Sequence, residues 1–144
     1  MSRVRRRLVL LALALGAACQ GGPRLRPPAL EATLVALELG PGAGRLEVTV
    51  PLPLAGGSQV TWELALDGRR FAVGLETAPR AVPGGLTFDA PLAWRHFGWR
   101  DGARFLRAEV RGQVTATGEP AGVPYRAARE VLVQGAPVLD SPVE

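Results

Sequence analysis

Hydrophobic and polar residues alternate with a period of two over most of the chain from residue 32 to residue 133, as half-buried β-strands do. In the stretch 60–66 (VTWELAL), Val, Trp and Leu lie on one side, and Thr61 and Glu63 lie on the other. Seven such stretches are predicted strands: 32–39, 46–52, 60–66, 71–75, 86–92, 106–114 and 125–133. Because turn signals separate these stretches at short intervals, the pattern predicts an all-β, antiparallel sandwich.

The clearest turn signal is Asp67-Gly68, which predicts a two-residue type I′ turn. A hairpin closed at this turn would pair Leu64 with Phe71, Trp62 with Val73, and Val60 with Leu75. Each of these pairs is apolar and lies on one face, which is the register that a shared core requires.

Three segments interrupt or bound the strands. Residues 93–99 break the alternation and predict a loop or one short helical turn. Pro91 has no N–H to donate, so its strand is expected to lie at a sheet edge or to end there. The segment 40–44 (GPGAG) leads into a strand rather than a helix, so we interpret it as a turn and not as a phosphate-binding loop.

The first nineteen residues form a separate unit. Four arginines within 1–7 precede an apolar run over 8–15, and small residues then lead to Cys19, the only cysteine. A basic segment, a short apolar segment and a small-residue cleavage site are typical of a secretory signal peptide. A membrane span needs about 20 apolar residues, whereas residues 8–18 supply eleven. A plain secretory signal would leave Cys19 without a disulfide partner.

The same segment resembles a bacterial lipoprotein signal, in which the cysteine is lipidated and becomes the mature N terminus. The resemblance implies a signal peptide over 1–18. The segment 20–28 (QGGPRLRPP) is rich in Gly and Pro and has no periodicity, so we predict a flexible tether over 19–30, a folded domain over 31–139 and a tail over 140–144. The resemblance also implies that the membrane is a partner through several acyl chains on Cys19, since one chain binds only marginally. By analogy, Gln20 favours an outer-membrane location or the periplasmic face.

The formal charge of +4 arises from Arg3, Arg5, Arg6 and Arg7 alone. Without them, thirteen arginines face thirteen acids, so net charge gives no reason to expect a nucleic-acid partner. All basic residues are arginine, which excludes Schiff-base and phosphate-loop lysines.

Catalytic and metal-binding residue types are sparse. His96 is the only histidine, and a triad would have to join it to Ser58 or Ser141. The spacing of Asp89, Asp101 and Glu109 does not single out a pair of carboxylates for glycoside chemistry. We therefore predict no catalytic site, no metal and no cofactor.

One loop concentrates unusual residues: Trp94, His96, Phe97 and Trp99. Exposed aromatic rings there would form a binding patch for an envelope glycan or protein. Alternatively, the rings plug the open end of the sandwich and His96 is half exposed. We favour this second interpretation.

A family resemblance covers residues 32–138. It rests on the stretch 60–74 (VTWELALDGRRFAVG), on 81–85 (AVPGG), on 106–114 (LRAEVRGQV) and on Val123-Pro124-Tyr125 before Val131. In this order, these residues resemble a late embryogenesis abundant group 2 domain, also called the water stress and hypersensitive response (WHy) domain. Members commonly carry Asn-Pro-Asn where this chain has Pro51-Leu52-Pro53, so no role of those asparagines is carried over.

The resemblance implies a seven-stranded immunoglobulin- or fibronectin III-like sandwich without enzymatic activity, linked to desiccation and other stresses and often found in bacterial lipoproteins. Two functions are then expected. The first is stress protection or envelope maintenance by a lipid-anchored domain. The second is an interaction module that binds an envelope glycan or protein through the loop from Trp94 to Trp99.

Overall fold

A computed structural model describes residues 28–139, which contain nine β-strands and no helix. The strands are β1 (Leu30–Glu31), β2 (Thr33–Gly40), β3 (Ala43–Val50), β4 (Gln59–Leu66), β5 (Arg69–Glu76), β6 (Arg80–Val82), β7 (Gly85–Ala93), β8 (Gly98–Thr115) and β9 (Val123–Val138). They form a five-stranded sheet in the order β1-β9-β8-β4-β5 and a four-stranded sheet in the order β2-β3-β7-β6. The all-β prediction is confirmed.

Some sequence-based predictions lie outside the described residues. These are the signal peptide over 1–18, the lipidated Cys19, most of the tether and the tail over 140–144. Within residues 28–139, there is no helix of the length and apolarity that crossing a bilayer requires.

The core lies between the two sheets and is built from the inward residues of each alternating strand. The largest fully buried side chains come from both sheets: Tyr125, Phe88, Leu46, Leu64, Leu66 and Leu86. The rings of Phe88 on β7 and Tyr125 on β9 meet edge to face, with centroids 6.0 Å apart. Burial of every second, hydrophobic residue of each strand thus accounts for the packing of the two sheets against each other.

The seven predicted strands correspond to β2, β3, β4, β5, β7, β8 and β9. The structure adds β1 and β6, which are too short to show a periodic pattern. β1 pairs in parallel with β9, with Leu30 opposite Tyr125. β6 pairs with β7 only as far as Thr87, so Pro91 has a single neighbouring strand, β3. β7 is therefore not an edge strand as a whole, but Pro91 lies in a part of it that has one free edge, which suits a residue without an N–H.

The β4–β5 hairpin turns where predicted, but its predicted register is wrong. Asp67 and Gly68 have positive φ angles of 49° and 80°. Beyond the turn, a bulge shifts the pairing, which places Leu64 opposite Ala72, Trp62 opposite Gly74 and Val60 opposite Glu76. Because β5 contains one extra residue near Phe71, the side chains after it change face. Val73 and Leu75 therefore point outward and are 62% and 52% exposed.

The indole of Trp62 occupies the space above Gly74. A Cβ atom on Gly74 would lie 2.5 Å from Cζ2 of Trp62, so a glycine is needed at this position. The Nε1 atom of Trp62 is buried and has no hydrogen-bond partner among residues 28–139.

The segment 93–99 contains no helical turn, which corrects the alternative of a short helix. Trp94 donates its backbone N–H to the carbonyl of Gly42 at 3.1 Å, and this bond holds the segment 93–99 against the β2–β3 turn. β8 then begins at Gly98, eight residues before the predicted start, because residues from Gly98 onward pair with the end of β9 as far as Val138.

Candidate functional site

The aromatic residues of the β7–β8 connection form a cluster with Phe71 of β5. The ring of Trp94 meets Phe71 edge to face at a centroid distance of 4.9 Å, and Phe97 lies 5.5 Å from Phe71. Trp94 also stacks on Trp99 at 6.3 Å. Trp94 and Phe97 are half-buried and pack against the core. The rings thus cover the end of the core between the two sheets.

Two further contacts fix the outer part of this cluster. The Nε1 atom of Trp99 donates a hydrogen bond to Oδ1 of Asp101 at 2.8 Å. The indole of Trp99 lies over Gly135, where a Cβ atom would be 2.5 Å from Cζ2. His96 is exposed beside the cluster. Ring faces that make these contacts are not available to a ligand, and the remaining exposed edges are those of Trp94, Phe97 and Trp99.

The other sequence candidates are held in structural contacts. Ser58 is buried, and its Oγ donates to the carbonyl of Ala55 at 2.7 Å, which closes a turn before β4. Ser141 lies outside the described residues. Asp89 pairs with two arginines, and Glu109 pairs with Arg111 at 2.9 Å. Residues 28–139 contain no group of three or more potential metal ligands.

Arg45 is the centre of an ion-pair network on the outer face of the four-stranded sheet. Its guanidinium lies 2.5 Å from Asp89, 3.4 Å from Glu38 and 3.6 Å from Glu47. Arg80 reaches the other oxygen of Asp89 at 2.8 Å. The hydrogen bond to Glu38 and the surrounding carboxylates raise the pKa of Arg45. Opposite charges on neighbouring strands thus pair across this face.

A broad groove of about 1080 Å³ crosses the outer face of the five-stranded sheet. Val73 and Leu75 of β5 form one side, and Arg126 of β9 lies across the sheet. Glu109 forms ion pairs with both Arg111 and Arg126, at 2.9 and 3.4 Å. Sequence reasoning missed this groove because the predicted register placed Val73 and Leu75 in the core.

No protein-family model matches the chain, and searches of the curated proteins and of the solved structures also returned no match. The likeness to the WHy domain therefore depends on the residues quoted above.

Proposed function

We propose that this chain is a non-catalytic, lipid-anchored protein of the bacterial cell envelope whose WHy-like domain protects other components during desiccation or a related stress. The N-terminal segment supports the anchor through its signal-like pattern and the single Cys19 that follows it. The described domain begins eleven residues after Cys19, at Leu30, and a fully extended tether of that length spans about 36–40 Å.

The sheet order supports an immunoglobulin-like assignment of the domain. In immunoglobulin domains, strands A, B, E and D form one sheet, and G, F, C and, in variable domains, C′ form the other. The four-stranded sheet β2-β3-β7-β6 follows the first order, and β9-β8-β4-β5 follows the second. This correspondence agrees with the fold that the WHy resemblance implies, although a fold alone does not determine a function.

The proposal is supported mainly by the packing of the aromatic cluster around Phe71 and Trp94. Because these rings pack on the core and on one another, the residues that most suggested a ligand contribute to the stability of the fold. Part of the surface carries arginines and carboxylates that pair with each other, as around Arg45. A stable folded domain that occupies the space between neighbouring macromolecules limits their contact when water is lost.

The second candidate is an interaction module that binds an envelope glycan or protein through the loop from Trp94 to Trp99. The exposed position of His96 and the half-exposed rings favour it. Binding of this kind requires the exposed ring edges of the aromatic cluster, whereas stress protection requires only the folded domain.

A drying experiment tests the proposal. A labile enzyme is dried with the soluble chain 20–144, and the recovered activity is compared with that after drying with an equal mass of an unrelated β-sandwich domain. We expect clearly higher recovery with this chain. A Leu64→Ala variant, which removes a fully buried side chain, is the matched control for the need for a stable fold. Recovery no better than with the unrelated domain would contradict the proposal.

The same drying assay separates the two candidates. Replacing His96 and Trp99 by Ala removes two side chains from the solvent-facing side of the loop. If protection persists in this variant, the loop is not needed for it. If a glycan or protein from the envelope binds the native chain and not the variant, the interaction module is favoured.

A further inference from the structure

Three arginine side chains line a small cleft at one end of the sandwich. The cleft has a volume of about 190 Å³ and lies between the β4–β5 turn and the ends of β8 and β9. Arg69 follows the turn, and Arg100 and Arg104 belong to β8. The remaining lining residues are Asp67, Leu106, Pro137, Val138 and Leu139. Because pockets for drug-sized ligands measure about 300–1,000 Å³, this cleft fits a small polar group.

The cleft carries positive charge that the described carboxylates do not neutralise. Residues 28–139 contain eleven arginines and eleven acids. Arg100 and Arg104 form no ion pair with any acid in this range, and Arg69 donates to the carbonyl oxygen of Leu139. The one carboxylate on the cleft, Asp67, accepts the backbone N–H of Arg107 at 2.9 Å. Three guanidinium groups therefore face one carboxylate that is already hydrogen-bonded.

A β-bulge lies between two of these arginines, Arg100 and Arg104. Asp101 pairs with Gly135 and Arg104 pairs with Val133, so three steps along β8 match two along β9. Within the bulge, Gly102 has a φ angle of +117°, which L side chains rarely adopt, although a Cβ atom there would meet open space. The glycine is thus required by the backbone conformation. Bulges often re-aim side chains beside binding sites.

We propose that Arg69, Arg100 and Arg104 form a binding site for a phosphate group. A guanidinium keeps its charge at all ordinary pH values and binds phosphate oxygens through two parallel N–H donors. The apolar wall around Pro137 and Val138 would contact the carbon atoms of a phosphate ester. This site is additional to the proposed stress-protective function, whereas the choice between a soluble and a lipid phosphate rests on the membrane anchor of that proposal.

The position of the cleft indicates the source of the phosphate. Leu30, where the described chain begins to pair, lies opposite Tyr125, and Arg104 lies opposite Val133. The eight residues of β9 between these positions span about 26 Å at 3.3 Å per residue. The cleft is thus at the end of the sandwich remote from the N-terminal tether. Because the cleft lies at the end away from the proposed anchor, we assign it to a soluble phosphate ester rather than to a lipid headgroup.

The test uses the full chain in micelles of an uncharged detergent. Glycerol 3-phosphate is titrated, and binding is followed by the NMR signals of the arginine Nε–H groups. We expect saturable shifts, and at least tenfold weaker binding in the Arg100→Gln, Arg104→Gln double variant. The matched control is Arg111→Gln, Arg126→Gln, which removes the same charge from the outer face of the five-stranded sheet and should change affinity less than twofold.

Two results would overturn the site: no saturable shift in the native chain, or equal weakening by both double variants, which would indicate a general effect of charge. A second titration adds phosphatidylglycerol to the micelles and distinguishes the sources of phosphate. We expect the Nε–H signals of Arg100 and Arg104 to respond to the soluble ester and not to the lipid. Shifts with the lipid alone would overturn the assignment to a soluble ester.

Discussion

The hydroxyl group of Tyr125 donates a hydrogen bond to the backbone carbonyl oxygen of Thr61 at 2.7 Å. Tyr125 lies in β9 and Thr61 in β4, and these strands are separated by β8. Gly112 of β8 lies beneath the bond, where a Cβ atom would be 1.8 Å from the Thr61 oxygen and 2.9 Å from the Tyr125 hydroxyl. The absence of a side chain at Gly112 therefore allows a buried polar contact to connect three strands.

We expect the variant Tyr125→Phe to lower the free energy of unfolding by about 1–2 kcal/mol, because it leaves the carbonyl of Thr61 without this donor. Denaturant unfolding of both proteins measures the difference, with the slope of the transition as a check on two-state behaviour. Tyr125→Leu, which also removes ring volume, is the comparison and should cost more. An unchanged midpoint for the Phe variant would show that the bond contributes nothing.

Alkaline pH should destabilise the native protein through the same residue. Burial raises the pKa of Tyr125, so the folded state favours the neutral phenol. Its contribution is fully present below the unfolded-state pKa of about 10 and is lost as the pH rises from there toward the folded-state pKa. Since Tyr125 is the only tyrosine, the ultraviolet absorbance of tyrosinate reports on it directly.

In that titration, tyrosinate should appear together with the loss of folded structure measured by circular dichroism. The Tyr125→Phe variant should lack this part of the alkaline destabilisation. Ionisation of Tyr125 at about pH 10 in a protein that stays folded would contradict the expected effect of burial.

The bulged register of β5 predicts that alanine substitution of two leucines in the β4–β5 hairpin lowers the free energy of unfolding by different amounts. Leu75 lies on the outer face, so Leu75→Ala should change the free energy of unfolding by less than about 0.5 kcal/mol. Leu64 is completely buried, so Leu64→Ala should cost about 3 kcal/mol. Urea unfolding measures both. Similar losses for the two variants would support the unbulged register instead.

The aromatic cluster gives a fourth prediction. Trp94→Ala removes a ring that contacts Phe71 and the core, so we expect a loss of about 3 kcal/mol. His96→Ala, two residues away and exposed, should change stability by less than about 0.5 kcal/mol. Thermal unfolding of the two variants makes the comparison. If both are neutral, the rings do not close the core, and a role in binding gains support.

Alternation predicted the strands well wherever one face is buried, as in β3 and β4, because burial requires a period of two. It failed for the first part of β8, where Gly98, Arg100, Asp101, Gly102 and Arg104 give no apolar stripe. That segment is extended because it pairs with the end of β9, which is a non-local contact. The bulge near Phe71 was missed for a similar reason, since packing of its ring against Trp94 and Phe97 is not visible in the hairpin sequence.

The candidate sites also differ in how far the sequence could predict them. The aromatic loop could be found because its residues are adjacent in sequence. The cleft joins Arg69 to Arg104, and the outer groove joins Thr61 to Arg126, so both depend on strand order. The sequence also did not indicate that Arg126 and Arg111 share the carboxylate of Glu109.

The parallel pairing of β1 with β9 determines when folding can finish. Leu30 pairs with Tyr125, and Arg129 donates to the carbonyl of Leu34 at 3.0 Å, so both contacts join residues 95 positions apart. Hairpins such as β2–β3 can close as soon as their own residues are present, whereas these long-range contacts form slowly. A chain that emerges N terminus first must therefore keep β1 unpaired, and the carbonyl of Leu34 without its arginine donor, until its last strand arrives.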